Sequence, residues 1–118
     1  MKKSLALLAK GFESSCSTTP EFAQFFRTFK SEFTKELQSI GATKIEMNRG
    51  HFYLSGFFTK GEKIFYFSLS DVRGSDFVLG SGGDLDLLYR TAKHYKDWSG
   101  GTNCYVIIEA GMAQKMRL

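Results

Sequence analysis

The stretch "HFYLSGFFTKGEKIFYFSLSD", His51 to Asp71, decides how this chain folds. Apolar side chains alternate on either side of a Lys-Gly-Glu-Lys centre, the period of two expected of strands that bury one face. The centre supplies the turn of a hairpin. With Lys60 and Gly61 as its loop, Phe58 faces Lys63, Gly56 faces Phe65, Leu54 faces Phe67 and Phe52 faces Leu69. Gly56 then leaves room opposite a phenyl ring. The other face pairs Phe57 with Ile64, Tyr53 with Ser68 and His51 with Ser70. Aromatic and aliphatic pairs of this kind stabilise a sheet by about 0.2–1 kcal/mol each. The first face is apolar enough to need a cover, and the second is mixed.

The cover lies upstream. Between Glu21 and Ile40 the apolar positions are Phe22, Phe25, Phe26, Phe29, Phe33, Leu37 and Ile40. Apart from the adjacent Phe25–Phe26 pair, they advance in helical steps along one face. Arg27, Lys30, Glu32, Lys35 and Glu36 fall largely on the other. Thr18 with Glu21 fits a capping box, Pro20 suits a first turn, and Gly41 is a natural stop. So regular a phenylalanine stripe is far more often core than partner surface. Ahead of it, Leu5, Leu8 and Phe12 predict a short helix closed near Gly11. After Gly41, "TKIEMN" reads as a strand with Ile45 and Met47 on one side.

Downstream, "DVRGSDFVLGSGGD" (Asp71 to Asp84) predicts a long loop. "NCYVIIEA" reads as a strand, with Tyr105 and Ile107 on one face and Cys104, Val106 and Ile108 on the other. In "GMAQKMRL", Met112, Met116 and Leu118 suit a last helical turn. The segment from Asp84 to Tyr95 admits two readings. As a helix it aligns Leu85, Leu88, Tyr89, Ala92 and Tyr95, with acids first and bases later, the order that the helix dipole favours. As a strand, "LLYRTAK" gives the strands beginning at Lys63 and Cys104 an antiparallel neighbour, and that need favours strand plus loop. The expected fold is one α+β domain over residues 1–118. A short N-terminal helix and a long amphipathic helix pack on an antiparallel sheet of about four or five strands.

Composition agrees with a folded domain. At 118 residues, 42% apolar and 24% charged, the chain is long enough for a core without metal or disulfide support. Twelve phenylalanines accompany a single tryptophan and a single proline, and rings without polar atoms belong inside. The formal charge of +4 favours polyanionic partners and argues against an acidic mimic of DNA. In "MKKSLALLAKGFESS" the apolar run ends at Lys10, short of the ~7–15 residues of a signal peptide. No stretch approaches the roughly 20 apolar residues of a membrane span. Cys16 and Cys104 lack zinc-ligand spacing, and reduced thiols in a cytoplasmic protein are the expectation.

The densest chemistry is "LLYRTAKHYKDWSGGTNCYV", Leu87 to Val106. Arg90, Lys93 and Lys96 are interleaved with Tyr95 and Trp98, and Arg49 and Arg73 would extend the set if the fold brought them near. Single-stranded nucleic acid is held in this way, with cations along phosphates and aromatic faces under bases. The plainer account is that such a tyrosine is core and such lysines are solvated. Glycine-rich "GSGGD" and "WSGGTN" lack the Gly-Lys-Ser/Thr ending of a phosphate loop, so turns are the better reading. His94, His51, Asp71, Asp97, Glu109 and Cys104 are the candidates for catalysis. No spacing among them imposes a nucleophile–base geometry. No catalytic residue, metal ligand or cofactor is therefore assigned.

At "LLYRTAKHYKDWSGGTN", and less sharply at "FYFSLSDVRG", the chain resembles small uncharacterised single-domain proteins of bacterial phages and conjugative elements. The likeness covers about the last two-thirds of the chain and brings no catalytic residues with it. It implies a setting in which small proteins bind host or defence machinery, anti-CRISPR proteins included. The expected function is then non-enzymatic binding of nucleic acid or a host nucleoprotein by the basic–aromatic surface. The alternative is a protein–protein adaptor or homodimer using Tyr53, Phe57, Ile64 and Tyr66. A small enzyme using His94 with Asp97 ranks third.

Overall fold

A computed structural model describes residues 19–50, 53–70, 85–98 and 101–118, with side chains in the first helix described from Phe22 onward. The expected helix around Leu5 to Phe12, the Thr18 cap and the Asp71–Asp84 loop lie outside the described residues. The elements run α1 (Thr19–Ser39), β1 (Thr43–Arg49), β2 (Leu54–Lys60), β3 (Lys63–Leu69), β4 (Asp86–Ala92), β5 (Cys104–Ile107) and α2 (Met112–Lys115). The strands form a single five-stranded sheet in the order β1-β2-β3-β4-β5, and every neighbouring pair is antiparallel. The fold is α+β, with a helix packed on an antiparallel sheet.

The α1 helix carries Pro20 in its first turn, where the missing N–H would have had no partner. It ends in a Schellman motif. Gly41 takes φ +92°, its N–H donates to Gln38 O at 3.1 Å, and the Ala42 N–H donates to Leu37 O at 2.9 Å. Phe22, Phe25, Phe29, Phe33 and Leu37 are fully buried. Their rings form a ladder, with centroids 5.7 Å apart for Phe25–Phe29 and 5.1 Å for Phe29–Phe33. Phe33 then meets Phe67 of β3 edge-on at 5.4 Å, which joins helix to sheet. Burying each such ring stabilises the fold by about 1.5–3 kcal/mol.

The covered face of the sheet carries Met47, Leu54, Phe58, Phe65, Phe67, Leu69, Leu87, Tyr89 and Val106. The hairpin register differs from the sequence expectation by two residues. Lys60 pairs with Lys63, so Phe58 faces Phe65, Gly56 faces Phe67 and Leu54 faces Leu69, while Phe57 faces Tyr66. The loop is Gly61–Glu62, with Gly61 at φ +64°. Two-residue hairpin turns want positive φ at their first central position, and only this placement puts glycine there. A shift of two preserves both faces. Gly56 still opposes a phenyl ring, now that of Phe67. β4 is a strand, as the need for an antiparallel partner favoured.

At the C-terminal end, Met112 and Met116 are buried against the same core, and Leu118 packs on it. Two N–H groups at the start of α2 are satisfied from α1. The Glu36 carboxylate accepts from Gly111 N and Ala113 N, both at 3.1 Å. Among the described residues no helix is long and apolar enough to cross a membrane.

Candidate functional site

Helix α1 covers one face of the sheet, so alternation along each strand assigns a second set of side chains to the other face. Register places Phe57, Tyr66 and Arg90 side by side there, next to a row of Ser55, Ser68, Leu88 and Tyr105. The chain that follows β4 crosses this face instead of running straight on to β5. Tyr95 stacks on Phe57 with centroids 5.6 Å apart, and its hydroxyl donates to Lys44 O at 2.7 Å and lies 2.6 Å from Thr59 Oγ1. Trp98 meets Phe57 edge-on at 6.4 Å. Phe57 is consequently only 5% exposed.

The crossing segment, residues 93–98, is held by its own polar groups. Asp97 Oδ2 accepts from Lys93 N at 2.9 Å, Asp97 N donates to His94 O at 3.1 Å, and His94 Nδ1 accepts from Lys96 N at 3.1 Å. Arg90 fastens the segment from below. Its guanidinium lies 4.4 Å over the Tyr66 ring and Nη2 donates to the Trp98 carbonyl. Among the described residues, the buried Arg90 Nε has no hydrogen-bond partner.

The fold brings Arg90, Lys93, Tyr95, Lys96 and Trp98 together, but with divided roles. Tyr95 is a half-buried fastener, and Arg90 is half-buried beneath Trp98. Lys93 and Lys96 are exposed, and Trp98 is 62% exposed. Arg49 does not join them. It pairs with Leu54 on the helix-covered side, its guanidinium lies 6.0 Å from the Phe26 ring of α1, and Nη1 donates to Gly50 O. Arg73, like His51 and Asp71, lies outside the described residues.

Tyr105, also 62% exposed, and Ile107 stand, like Trp98, on the sheet face opposite α1. Neither belonged to the basic–aromatic set read from the sequence. The alternation of "CYVI" around the buried Val106 is the signal that places them outside. Tyr53, 53% exposed, stands at the β1–β2 end. Glu46 and Asp86 are acids on this face, beside Phe57 and Ile107 respectively. For the adaptor alternative, the middle of its expected surface is occupied. Phe57 lies under Tyr95 and Trp98, and Tyr66 under Arg90.

Among the described residues no group of three or more His, Cys, Asp and Glu side chains is placed to hold a metal ion. Cys104 is a free, half-buried thiol whose Sγ lies 3.8 Å from Thr102 O. Comparison with known protein families, with curated proteins and with solved structures gives no match for this chain.

Proposed function

We propose that this is a non-enzymatic, cytoplasmic binding protein of a mobile genetic element, acting through the sheet face opposite α1 on nucleic acid or a host nucleoprotein. An inhibitor of a host defence complex, of the anti-CRISPR kind, is one form of that role. One observation carries the reading: Trp98 and Tyr105 stand exposed on the face where Arg90, Lys93 and Lys96 gather. Exposed aromatics beside cations are what stacked bases and their phosphates require, and stacking contributes about 1–3 kcal/mol per base. The face has few other reasons to expose rings of that size. The sequence resemblance to phage and conjugative-element proteins supplies the setting. The reading uses no cofactor and no metal.

The test is a titration of labelled single- and double-stranded oligonucleotides at two salt concentrations. Trp98 is the sole tryptophan, so its fluorescence reports directly on the face. We expect quenching on binding and preference for the single strand. The affinity should fall with salt at a log–log slope of about −2, the value for three cations at ~0.7 each. Absence of salt-sensitive binding, together with failure to capture a nucleoprotein from host lysate, would overturn the reading.

A second reading is a protein partner on the same face. It is favoured by Ile107 beside Tyr105 on β5, the last strand in the sheet order, and by Glu46 and Asp86, which repel phosphates. A homodimer seen by light scattering, abolished by Ile107→Lys, would support it.

A further inference from the structure

We infer that the outer face of α1, joined by Arg49 of β1, is a contact surface for the phosphate backbone of double-stranded nucleic acid. This goes beyond the reading above, which concerns a single strand on the opposite side of the sheet. At 3.6 residues per turn, Gln24, Arg27, Ser31, Lys35 and Gln38 fall on the side of α1 turned away from the buried Phe22–Leu37 stripe, and all five are exposed. Lys30, also exposed, flanks them on the side where β1 ends.

The helix sorts its charges. Glu36 is committed to the N–H groups of α2, and Glu32, one turn earlier, shares that flank. The outer side itself carries no carboxylate among the described side chains. Arg49 adds a fourth cation from the sheet. Its guanidinium lies 6.0 Å from the Phe26 ring, and Lys30 Nζ lies 5.9 Å from the same ring. Among the described residues, none of the four cations is in an ion pair. Arg27 Nη2 donates to Gln24 Oε1 at 2.9 Å and Arg49 Nη1 to Gly50 O, both neutral acceptors. Like charges gathered without a counter-ion from the protein raise the local potential for an anion.

The residue types decide between polyanions. Arg, Lys, Ser, Thr and Gln are the side chains that contact the phosphate oxygens of a duplex. Single strands are held on exposed aromatic faces, and the large exposed rings among the described residues, Tyr53, Trp98 and Tyr105, all lie outside α1. Arg27 and Lys35 stand ~12 Å apart along the helix axis, and a duplex carries one charge per ~1.7 Å, so about seven phosphates span that length. A duplex of any sequence offers that row of charge, whereas an acidic protein must be built to match it.

The experiment titrates the full chain into a fluorescein-labelled duplex of mixed sequence, followed by anisotropy across a salt series, with Trp98 fluorescence read in parallel. The log–log slope should be about −3.6, the value for four cations at ~0.9 each. Trp98 lies across the sheet and should stay unquenched by the duplex, so the single-strand preference that it reports is unaffected. Arg27→Ala and Lys35→Ala, both at exposed positions, should each weaken duplex binding about eightfold at ~0.1 M salt and lower the slope by about 0.9. Arg27→Lys keeps the charge and should keep the slope. All three should leave the quenching of Trp98 by a single strand unchanged. No duplex binding, or binding with the same slope in Arg27→Ala and Lys35→Ala, would overturn the helix face and leave the proposed function standing. Polyglutamate bound as tightly at equal charge, with the same losses in the variants, would overturn the duplex assignment. Duplex binding lost in the variants, with Trp98 unquenched by a single strand, would support the helix face and defeat the sheet-face reading.

Discussion

At the scale of single residues, the two hairpin glycines serve opposite needs. A Cβ on Gly56 would lie 2.0 Å from Glu46 O and 2.6 Å from Phe67 Cζ. The first of these is backbone in the neighbouring strand and cannot turn away as a side chain would. Gly56→Ala should therefore destabilise the protein by about 3 kcal/mol, at the upper end of overpacking costs. Gly61, at φ +64°, has open space around its Cβ position, so alanine there meets only backbone strain of roughly 1–2 kcal/mol. Urea denaturation of both variants checks the order, and equal midpoints would refute it. The need for space at Gly56 was legible in the sequence, because a glycine within an alternating aromatic run has few other uses. Which phenyl ring it opposes was not legible. "TKGEK" allows either pair of central residues as the loop, and the two registers keep identical faces.

At the scale of elements, the decisive contacts join parts of the chain that are far apart. Glu36 reads in the sequence as one of several charges on the outer face of a helix. Its carboxylate instead caps α2, accepting from N–H groups 75 and 77 residues away. Glu36→Gln keeps one acceptor and turns an NH2 toward an amide donor. We expect a loss of about 1.5–3 kcal/mol, the range for a hydrogen bond to a charged group. Faster hydrogen exchange at Gly111 and Ala113 should accompany it, and unchanged exchange at both would remove the cap. Tyr95 is a comparable fastener. Tyr95→Phe should cost about 1 kcal/mol and lower the fluorescence anisotropy of Trp98, since its hydroxyl ties the 93–98 segment to β1 and β2. Helix periodicity and strand alternation are local signals, and they placed α1 and the hairpin. β4 needed a non-local consideration, the demand of β3 and β5 for a partner. The path of residues 93–98 back across the sheet had no local signal at all.

At the scale of the whole molecule, the question is which side chains share one surface. The sequence brought together Arg90, Lys93, Tyr95, Lys96 and Trp98 by proximity along the chain, and these do meet in space. It misplaced Arg49, because the face a strand residue occupies depends on where the helix packs. It passed over Tyr105 for a related reason, since five residues of connecting chain separate Trp98 from β5 in sequence. On the sheet, Tyr105 stands three strands from Phe57, about 14 Å at the usual strand spacing, with Trp98 seated over Phe57. That geometry yields a test separating binding from folding. Tyr105 is mostly exposed, so Tyr105→Ser should change stability by no more than about 0.5 kcal/mol, whereas Trp98→Ala also uncovers part of the Phe57 ring and should cost about 1 kcal/mol. If both rings stack bases of one strand, each variant should weaken oligonucleotide binding by about 1–3 kcal/mol while leaving its salt slope unchanged. The double variant should lose the sum, because the sites are far enough apart to act independently. A protein partner packed across the same rings would give a different result: weaker association with negligible dependence on salt, and non-additive losses from a shared apolar contact. Phe57→Ala provides the contrast, since that ring is buried under Tyr95 and Trp98. It should cost about 3–5 kcal/mol of stability and disorder the platform with it. A stable Phe57→Ala protein that keeps full binding would mean that the 93–98 segment does not support the surface it covers.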